Sequence, residues 1–354
     1  MTVSGVRTCA GALLLLAAAG CDDFTHPAAH IAASDGPAPA PASVAQVQAT
    51  APVPATTLAA TAVDPVPAQA ASPPAAAIPP PTAALAPSQA AQAQAIETAA
   101  SADGAPAAPL LIRAEVLLDR AHFSPGQIDG QMGSNLRGAI TAYRTAHRLA
   151  GNGLDVALLS DLTGHDAAPI TQDYVLTADD EKGPFLGVVP TDMAKMATLD
   201  RLGYATPLEG LAEKFHMSQG LLRALNPTAD FAAAGGVIVV VRPSSGDIPP
   251  VARVEVDKAA NAVRAMDESG KVVAVFPATV GSTERPAPSG EWAVKTVVRN
   301  PNYTYDPKRL TFGDTAKGVL TLPPGPNNPV GSTWIALTKD TYGIHGTPDP
   351  TLVG

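Results

Sequence analysis

The sequence predicts a multidomain α+β protein, with helical segments in its middle part and a mostly β region at its end. Two observations lead to this prediction. Between about residues 109 and 225, apolar residues recur at helical spacing. From about residue 251 the spacing shifts toward two, and β-branched runs are separated by turn sequences. A length of 354 residues is enough for two or three such domains.

Residues 1–21 have the features of a targeting segment. The basic Arg7 precedes the apolar run ALLLLAAAG, which is too short to span a bilayer as a stable helix. The following AAGC resembles a bacterial lipobox, which predicts cleavage before Cys21 and lipidation of that cysteine; an ordinary signal peptide is the alternative. Because Cys9 would leave with the signal, the mature chain would have neither a disulfide nor a free thiol.

Residues 22–108 form a low-complexity stretch rich in alanine and proline. Large apolar side chains are few, so this stretch cannot bury enough surface to fold, and we predict a disordered linker. Its prolines favour extended polyproline II segments, which could carry a domain away from a membrane. The net charge of −9, without any run of basic residues, argues against a nucleic-acid partner.

Residues 109–165 are predicted to form three short helices around one small core. The first helix is LLIRAEVLLDRAHF, and the second begins near Ser134, a plausible N-cap. The third helix follows in GLDVALLSDL. The apolar residues expected to face inward from the second and third helices are Leu136, Ile140, Tyr143, Leu154, Leu158, Leu159 and Leu162.

The turn and second helix carry a recognisable pattern, D-G-x-x-G followed by a helix with paired apolar residues. With this pattern, the segment resembles the peptidoglycan-binding domain family, which implies a wall-binding module. The glycines fit a tight turn that leads into a helix. The matching positions are Asp129, Gly130, Gly133, Ala139, Ile140 and Tyr143, while Leu136 replaces the usual threonine.

Residues 172–245 contain two predicted helices and then the strand GVIVVVRP. This order resembles the later part of a LysM module, a glycan-binding unit. The usual opening strand is expected to be missing, since GPFLGVVPTDMAKMATLDRLG stands in its place. We interpret His216 as a helix-terminal histidine favoured by the helix dipole.

Residues 251–354 read as a β-rich domain, a sandwich or an open barrel. KVVAVFPATVG and STWIALT are typical strands, and DESGK is typical of a hairpin turn. Four stretches, VGSTERPAPSGEWAV, NPNYTYDP, LPPGPNNPVGSTWIAL and YGIHGTPDP, occur in the order seen in the L,D-transpeptidase (YkuD) catalytic domain. The region therefore resembles that family.

The resemblance implies a catalytic role for His345, as a general base or as the partner that raises the thiolate fraction of a cysteine. In the family this histidine precedes an S-H-G-C-x-R/N motif whose cysteine is the nucleophile, and family spacing puts that motif just beyond Gly354. The sequence has two cysteines, Cys9 and Cys21, both far from His345. We therefore expect a C-terminally truncated transpeptidase that is inactive as given.

Further site residues follow from the same resemblance. Gly346 and Thr347 would shape the turn that places the imidazole and would contact substrate together with Tyr342. Asn327 and Asn328 are expected to hold the long loop by side-chain hydrogen bonds. We expect no cofactor and no metal, because no ligand spacing links the three histidines of the helical module, which are His122, His147 and His165.

The parts together predict a lipid-anchored peptidoglycan L,D-transpeptidase in the periplasm or cell envelope. It would join the third residues of two stem peptides through a cysteine acyl-enzyme, with stem peptides, glycan and a membrane as partners. The alternative is a non-catalytic peptidoglycan-binding lipoprotein with a relic catalytic domain. A hydrolase that uses serine or aspartate with His345 is weakly supported, since Ser289 and Ser332 lack a visible triad even though Asp340 is near.

Overall fold

The structure is a computed structural model that describes residues 85–100, 105–244, 247–281, 286–308 and 318–354. The predicted signal segment, the lipidation site Cys21 and most of the predicted linker lie outside these residues. Within the described ranges, no helix combines the length and the apolar character needed to cross a membrane.

Helix α1 (Pro87–Glu97) lies inside the stretch predicted to be disordered up to residue 108, so that prediction extends too far. Alanine and glutamine dominate the helix, and its one large apolar residue, Ile96, is buried in the core. At its end, Glu97 accepts a hydrogen bond from the backbone N–H of Thr171 at 2.7 Å. Contacts with distant parts of the chain therefore order a segment whose composition alone favours disorder.

Three helices follow, as predicted: α2 (Ala108–Arg120), α3 (Ser134–His147) and α4 (Val156–His165). The expected N-cap of α3 is wrong by one residue. Gly133 occupies that position with an extended backbone, and Ser134 is already helical and makes no capping bond. The apolar residues of α3 and α4 that were expected to face inward are buried, except for the half-buried Leu154 before α4.

The turn before α3 explains the glycine of the D-G pattern. Gly130 has a φ of +73°, and its N–H donates to Glu115 Oε2 at 2.9 Å. A Cβ at this position would lie 3.1 Å from Ile112 Cγ1. Glu115 is almost fully buried, and desolvation raises its pKa to about 9.

The middle region starts with a strand that was expected to be missing. Strand β1 (Thr171–Val175) pairs antiparallel with β2 (Val237–Val241), so the prediction of no opening strand is wrong. Its sequence, TQDYV, is largely polar and gives no hydropathy signal for a strand. Its partner strand lies far along the chain. Between the two strands stand the helices α5 (Ala178–Glu181), α6 (Met193–Met196), α7 (Pro207–Lys214) and α8 (Gln219–Leu225).

His216 follows the end of α7, in agreement with the sequence interpretation, but it also has a specific partner. Its Nδ1 lies 3.0 Å from Asp119 Oδ2 on α2. Burial disfavours the charged imidazole, yet the hydrogen bond to Asp119 and the charge of its carboxylate raise the pKa of His216. This pair therefore joins the helical module to the middle region.

The C-terminal region is mostly β, as predicted. One antiparallel sheet contains β3 (Arg253–Asp257), β4 (Ala262–Met266) and β5 (Val272–Pro277) in that order. A second has the order β10-β9-β6, and β7 pairs with β8. The bounds of these strands are Val294–Arg299 for β6, Tyr303–Tyr305 for β7, Leu320–Leu322 for β8, Thr333–Leu337 for β9 and Gly343–His345 for β10. A small core that includes Val263, Ala278 and Ile344 joins the two larger sheets.

The β region and the helical module are physically joined within one compact unit. Residues 122–124 run parallel to β5: the N–H of Ser124 donates to the carbonyl of Val275 at 2.8 Å, and the N–H of Val275 donates to the carbonyl of His122 at 2.8 Å. Val275 is buried in the same core as the helices. The sheet thus gains an extra edge segment from the helical module.

Candidate active site

His345 is the last residue of β10 and lies in a largely buried position. In the register between β10 and β9 it stands opposite Trp334. The two rings stack with their centres 5.4 Å apart and their planes at 21°. The imidazole is thus held in one orientation by an aromatic ring that belongs to the neighbouring strand.

One hydrogen bond defines which nitrogen of His345 carries a proton. Its Nδ1 lies 2.7 Å from the carbonyl oxygen of Gly346. Because a carbonyl oxygen only accepts, Nδ1 must be the donor. In the neutral ring Nε2 is then the nitrogen that can accept a proton, which is the form a general base needs.

Glycines on both sides of the histidine permit close approaches. A Cβ at Gly343 would lie 2.5 Å from Trp334 Cζ2, so a larger residue would push the stacked tryptophan away. On the other side, Gly331 has a φ of +63°, and a Cβ there would lie 2.7 Å from Gly346 Cα. Packing against Trp334 therefore requires a glycine at position 343, and packing against Gly346 requires one at position 331.

The long loop before β9 is held by its two asparagines, as predicted. Asn327 Nδ2 donates to the carbonyl of Gly203 at 2.9 Å and to Glu209 Oε1 at 2.8 Å. Asn328 is fully buried, and its Nδ2 donates to the carbonyl of Pro323 at 2.8 Å. The loop is thus fixed to the middle region at one asparagine and closed on itself at the other.

A cavity of about 860 Å³ lies beside this site, between the β region and the middle region. Gly346 and Thr347, which are predicted to contact substrate, line this cavity. Among the described residues, Tyr342 and His345 are not part of the lining. Lys339 Nζ lies 5.4 Å from the ring centre of Tyr342, which does not line the cavity with the other two predicted residues.

The far wall of the cavity comes from α7 and the segment before it, and sequence reasoning missed it. Burial and the charge of Glu209 raise the pKa of Glu213 to about 7. Burial also raises the pKa of Tyr204, which is hydrogen-bonded to Glu213. Lys214, on the same wall, pairs with Asp180 at 2.8 Å. The sequence did not predict this wall, because its residues lie far from His345 along the chain and reach the cavity beside Gly346 and Thr347 only in the folded structure.

Among the described residues, the contacts of Ser289 and Ser332 do not form a Ser-His-Asp triad. Ser289 Oγ accepts a hydrogen bond from Lys258 Nζ at 2.7 Å. Ser332 lines the cavity, while Asp340 is exposed in the turn before β10. These contacts give no support to a hydrolase that uses serine.

Two histidines that sequence spacing left unrelated do lie together. His147 at the end of α3 and His165 at the end of α4 both approach Asp161. The expectation that the histidines of the helical module are scattered is therefore wrong for this pair, since helix packing brings the two helix ends side by side.

Comparisons with known proteins concern the C-terminal region. Residues 252–353 match the family model of the L,D-transpeptidase catalytic domain, YkuD. Two curated relatives are named "Putative L,D-transpeptidase YkuD". The protein from Bacillus licheniformis is 28% identical over 149 residues, 42% of this chain and 74% of the relative. The one from Bacillus subtilis is 25% identical over 149 residues with the same coverage. The region that contains His345 is thus similar in sequence to L,D-transpeptidase catalytic domains.

Proposed function

We propose that residues 251–354 belong to a peptidoglycan L,D-transpeptidase in which His345 activates a cysteine nucleophile. The observation that carries the proposal is the hydrogen bond between His345 Nδ1 and the carbonyl of Gly346, within a segment that matches the family. In the neutral ring this bond makes Nε2 the basic nitrogen. The family pattern puts the cysteine shortly after Gly354.

The chemistry follows from these groups. His345 takes the thiol proton, and the thiolate attacks the carbonyl of the third stem-peptide residue. The bond to the terminal D-alanine breaks as the imidazolium of His345 gives its proton to the leaving amine, and an acyl-enzyme remains. An amine of a neighbouring stem then attacks this thioester, which restores the thiol and joins two third residues. Backbone N–H groups near the cysteine would stabilise the oxyanion.

The cavity supports a role for Gly346 and Thr347 in substrate binding. Both line a space of about 860 Å³, within the range of sites that bind small molecules. Tyr342 remains a candidate for contact outside this cavity.

The other parts of the chain are consistent with action at the cell wall. In this proposal, residues 109–165 bind peptidoglycan and the middle region binds glycan. A lipid on Cys21 would hold the protein at a membrane, which gives a periplasmic or cell-envelope location. A non-catalytic wall-binding lipoprotein is the alternative.

The test compares this chain with the product encoded when translation continues past the Gly354 codon. Each protein is incubated with a carbapenem, and intact mass is measured. We expect a covalent adduct only on the longer protein, and a loss of at least about 100-fold in acylation rate for its H345A variant. D340A is the matched control, because Asp340 is exposed and lies five residues before the histidine.

Two results would contradict the proposal. If the codon after Gly354 is a stop, or if the longer product has no cysteine in the family motif, the wall-binding alternative stands. If the D340A variant loses as much activity as H345A, a triad chemistry is favoured over a thiolate.

A further inference from the structure

Three metal-binding side chains converge at the ends of two packed helices, far in sequence from the catalytic region. His147 is the last residue of α3, and Asp161 and His165 lie one turn apart on α4. One ligand atom from each residue lies within 4.8 Å of the other two. None of these residues lines the cavity beside His345.

The spacing fits a small transition-metal ion. His147 Nδ1 lies 3.6 Å from Asp161 Oδ2, and His165 Nδ1 lies 3.7 Å from the same oxygen. In a tetrahedral zinc site with metal–ligand distances near 2.0–2.1 Å, neighbouring ligand atoms are about 3.3 Å apart. The three ligand atoms lie within 4.8 Å of one another, so coordination requires a turn of the exposed His165 ring to bring both imidazoles and the carboxylate around one ion.

The surroundings hold these groups in the way that metal sites hold their ligands. Tyr143 donates its hydroxyl hydrogen to Asp161 Oδ2 at 2.8 Å, and its ring stacks on His147 with centres 3.9 Å apart. Tyr143 itself is fully buried in the core. A buried hydroxyl on a ligating carboxylate is a typical outer-shell contact, which orients the ligand and tunes its basicity.

One ligand carries a hydrogen bond of its own. His165 Nδ1 lies 2.7 Å from the backbone carbonyl oxygen of Asp161, which makes Nδ1 the donor in a neutral ring. Such a bond fixes the tautomer and leaves Nε2 as the nitrogen able to coordinate after a turn of this exposed ring.

Access also favours a cation. An open groove of about 430 Å³ reaches Asp161 and His165, so an ion can enter and keep a water as its fourth ligand.

We propose that His147, Asp161 and His165 bind one Zn²⁺ or a similar borderline transition-metal ion at the surface of the helical module. Two imidazoles and one carboxylate select such ions over Mg²⁺ and Ca²⁺, which require more oxygen ligands. The ion would tie the end of α3 to α4. Its role would be structural, because all three ligands belong to α3 and α4 and none lines the cavity beside His345.

The test uses the untagged full chain after removal of bound metal. Zinc uptake is measured by competition with a chromophoric chelator, and Co²⁺ absorption reports the coordination geometry. We expect one zinc ion to be lost in H165Q, or its affinity to fall at least about 10-fold. H165Q is the safest variant, because this side chain is 63% exposed. H122Q is the matched control, since His122 belongs to the same module but not to the cluster.

Comparison of variants separates this site from other zinc-binding groups of the chain, such as Cys9 and Cys21. Y143F keeps the buried ring but removes the hydroxyl, and we expect it to weaken zinc binding about 10- to 100-fold. Zinc should raise the melting temperature of the helices in the native chain but not in H165Q. If the native chain and H165Q take up the same amount of zinc with the same affinity, the proposal is wrong; absence of uptake by either would overturn it equally.

Discussion

Substitution of Gly331 by alanine is the sharpest test of how the backbone holds His345. Gly331 has a φ of +63°, a left-handed conformation that costs a residue with a Cβ about 1–2 kcal/mol. The new Cβ would also lie 2.7 Å from Gly346 Cα, where only backbone could move away. Such overpacking costs about 1–3 kcal/mol. We expect G331A to lower the free energy of unfolding of the β region by about 2–5 kcal/mol.

Gly270 provides a matched control in the turn between β4 and β5. Its φ is +80°, so alanine meets the same backbone cost, but no atom lies within 4 Å of the added Cβ. We expect G270A to cost only about 1–2 kcal/mol. The difference between the two variants measures the close approach of Gly331 to the turn after His345.

Urea titration followed by tryptophan fluorescence measures both effects. The two tryptophans, Trp292 and Trp334, both belong to the β region, so the signal reports unfolding of that region. The slope with urea should stay constant while the midpoint shifts, since stability changes and exposed surface does not. Equal losses in G331A and G270A would refute the reasoning, because the contact with Gly346 would then contribute nothing.

Three further predictions concern buried polar groups. The folded-state pKa of Glu115 is about 9, against 4.5 for an ordinary glutamate carboxyl. The free energy of unfolding should therefore fall as pH rises between these values. We expect the melting temperature of E115Q, followed by circular dichroism, to fall less over the same pH range. The raised pKa of His216 contributes stability that is fully present below the unfolded-state pKa of 6.5 and is lost as pH rises through the folded-state pKa. D119N should therefore lower the melting temperature more at about pH 5.5 than at about pH 8.5. An equal loss at both pH values would show that Asp119 does not act through the histidine. N328A leaves the half-buried carbonyl of Pro323 without this donor and should cost about 1–3 kcal/mol in the urea titration. A loss below about 0.5 kcal/mol would mean that the loop does not depend on Asn328.

Local patterns in the sequence were enough to predict most of the regular structure. The hairpin of β4 and β5 was predicted because DESGK is a local turn: Asp267 Oδ1 accepts from the N–H groups of Ser269 and Lys271. The buried face of α3 was predicted for the same reason, since its spacing is contained in one helix. Strand β10 and its glycines were also visible in the sequence.

The features that sequence reasoning missed depend on contacts between distant residues. Helix α1 has a single large apolar side chain and is ordered by strands and helices far along the chain. Glu115 reads as one polar residue in an amphipathic helix, and only the fold shows that it accepts from Gly130. The cavity wall at Glu213 and the pair of His147 with His165 arise from packing between elements, which a pattern within one element does not contain.

The bridge between residues 122–124 and β5 has a consequence for how the chain can be divided. The helical core includes Val275, which follows Phe123 by about 150 residues. A fragment that ends before residue 252 would lack Val275 and would expose the part of the helical core that this side chain covers. A fragment that starts at residue 252 would leave the N–H and the carbonyl of Val275 without their partners at His122 and Ser124. The start of the family match is therefore not a position where the chain can be cut without loss of core and sheet contacts.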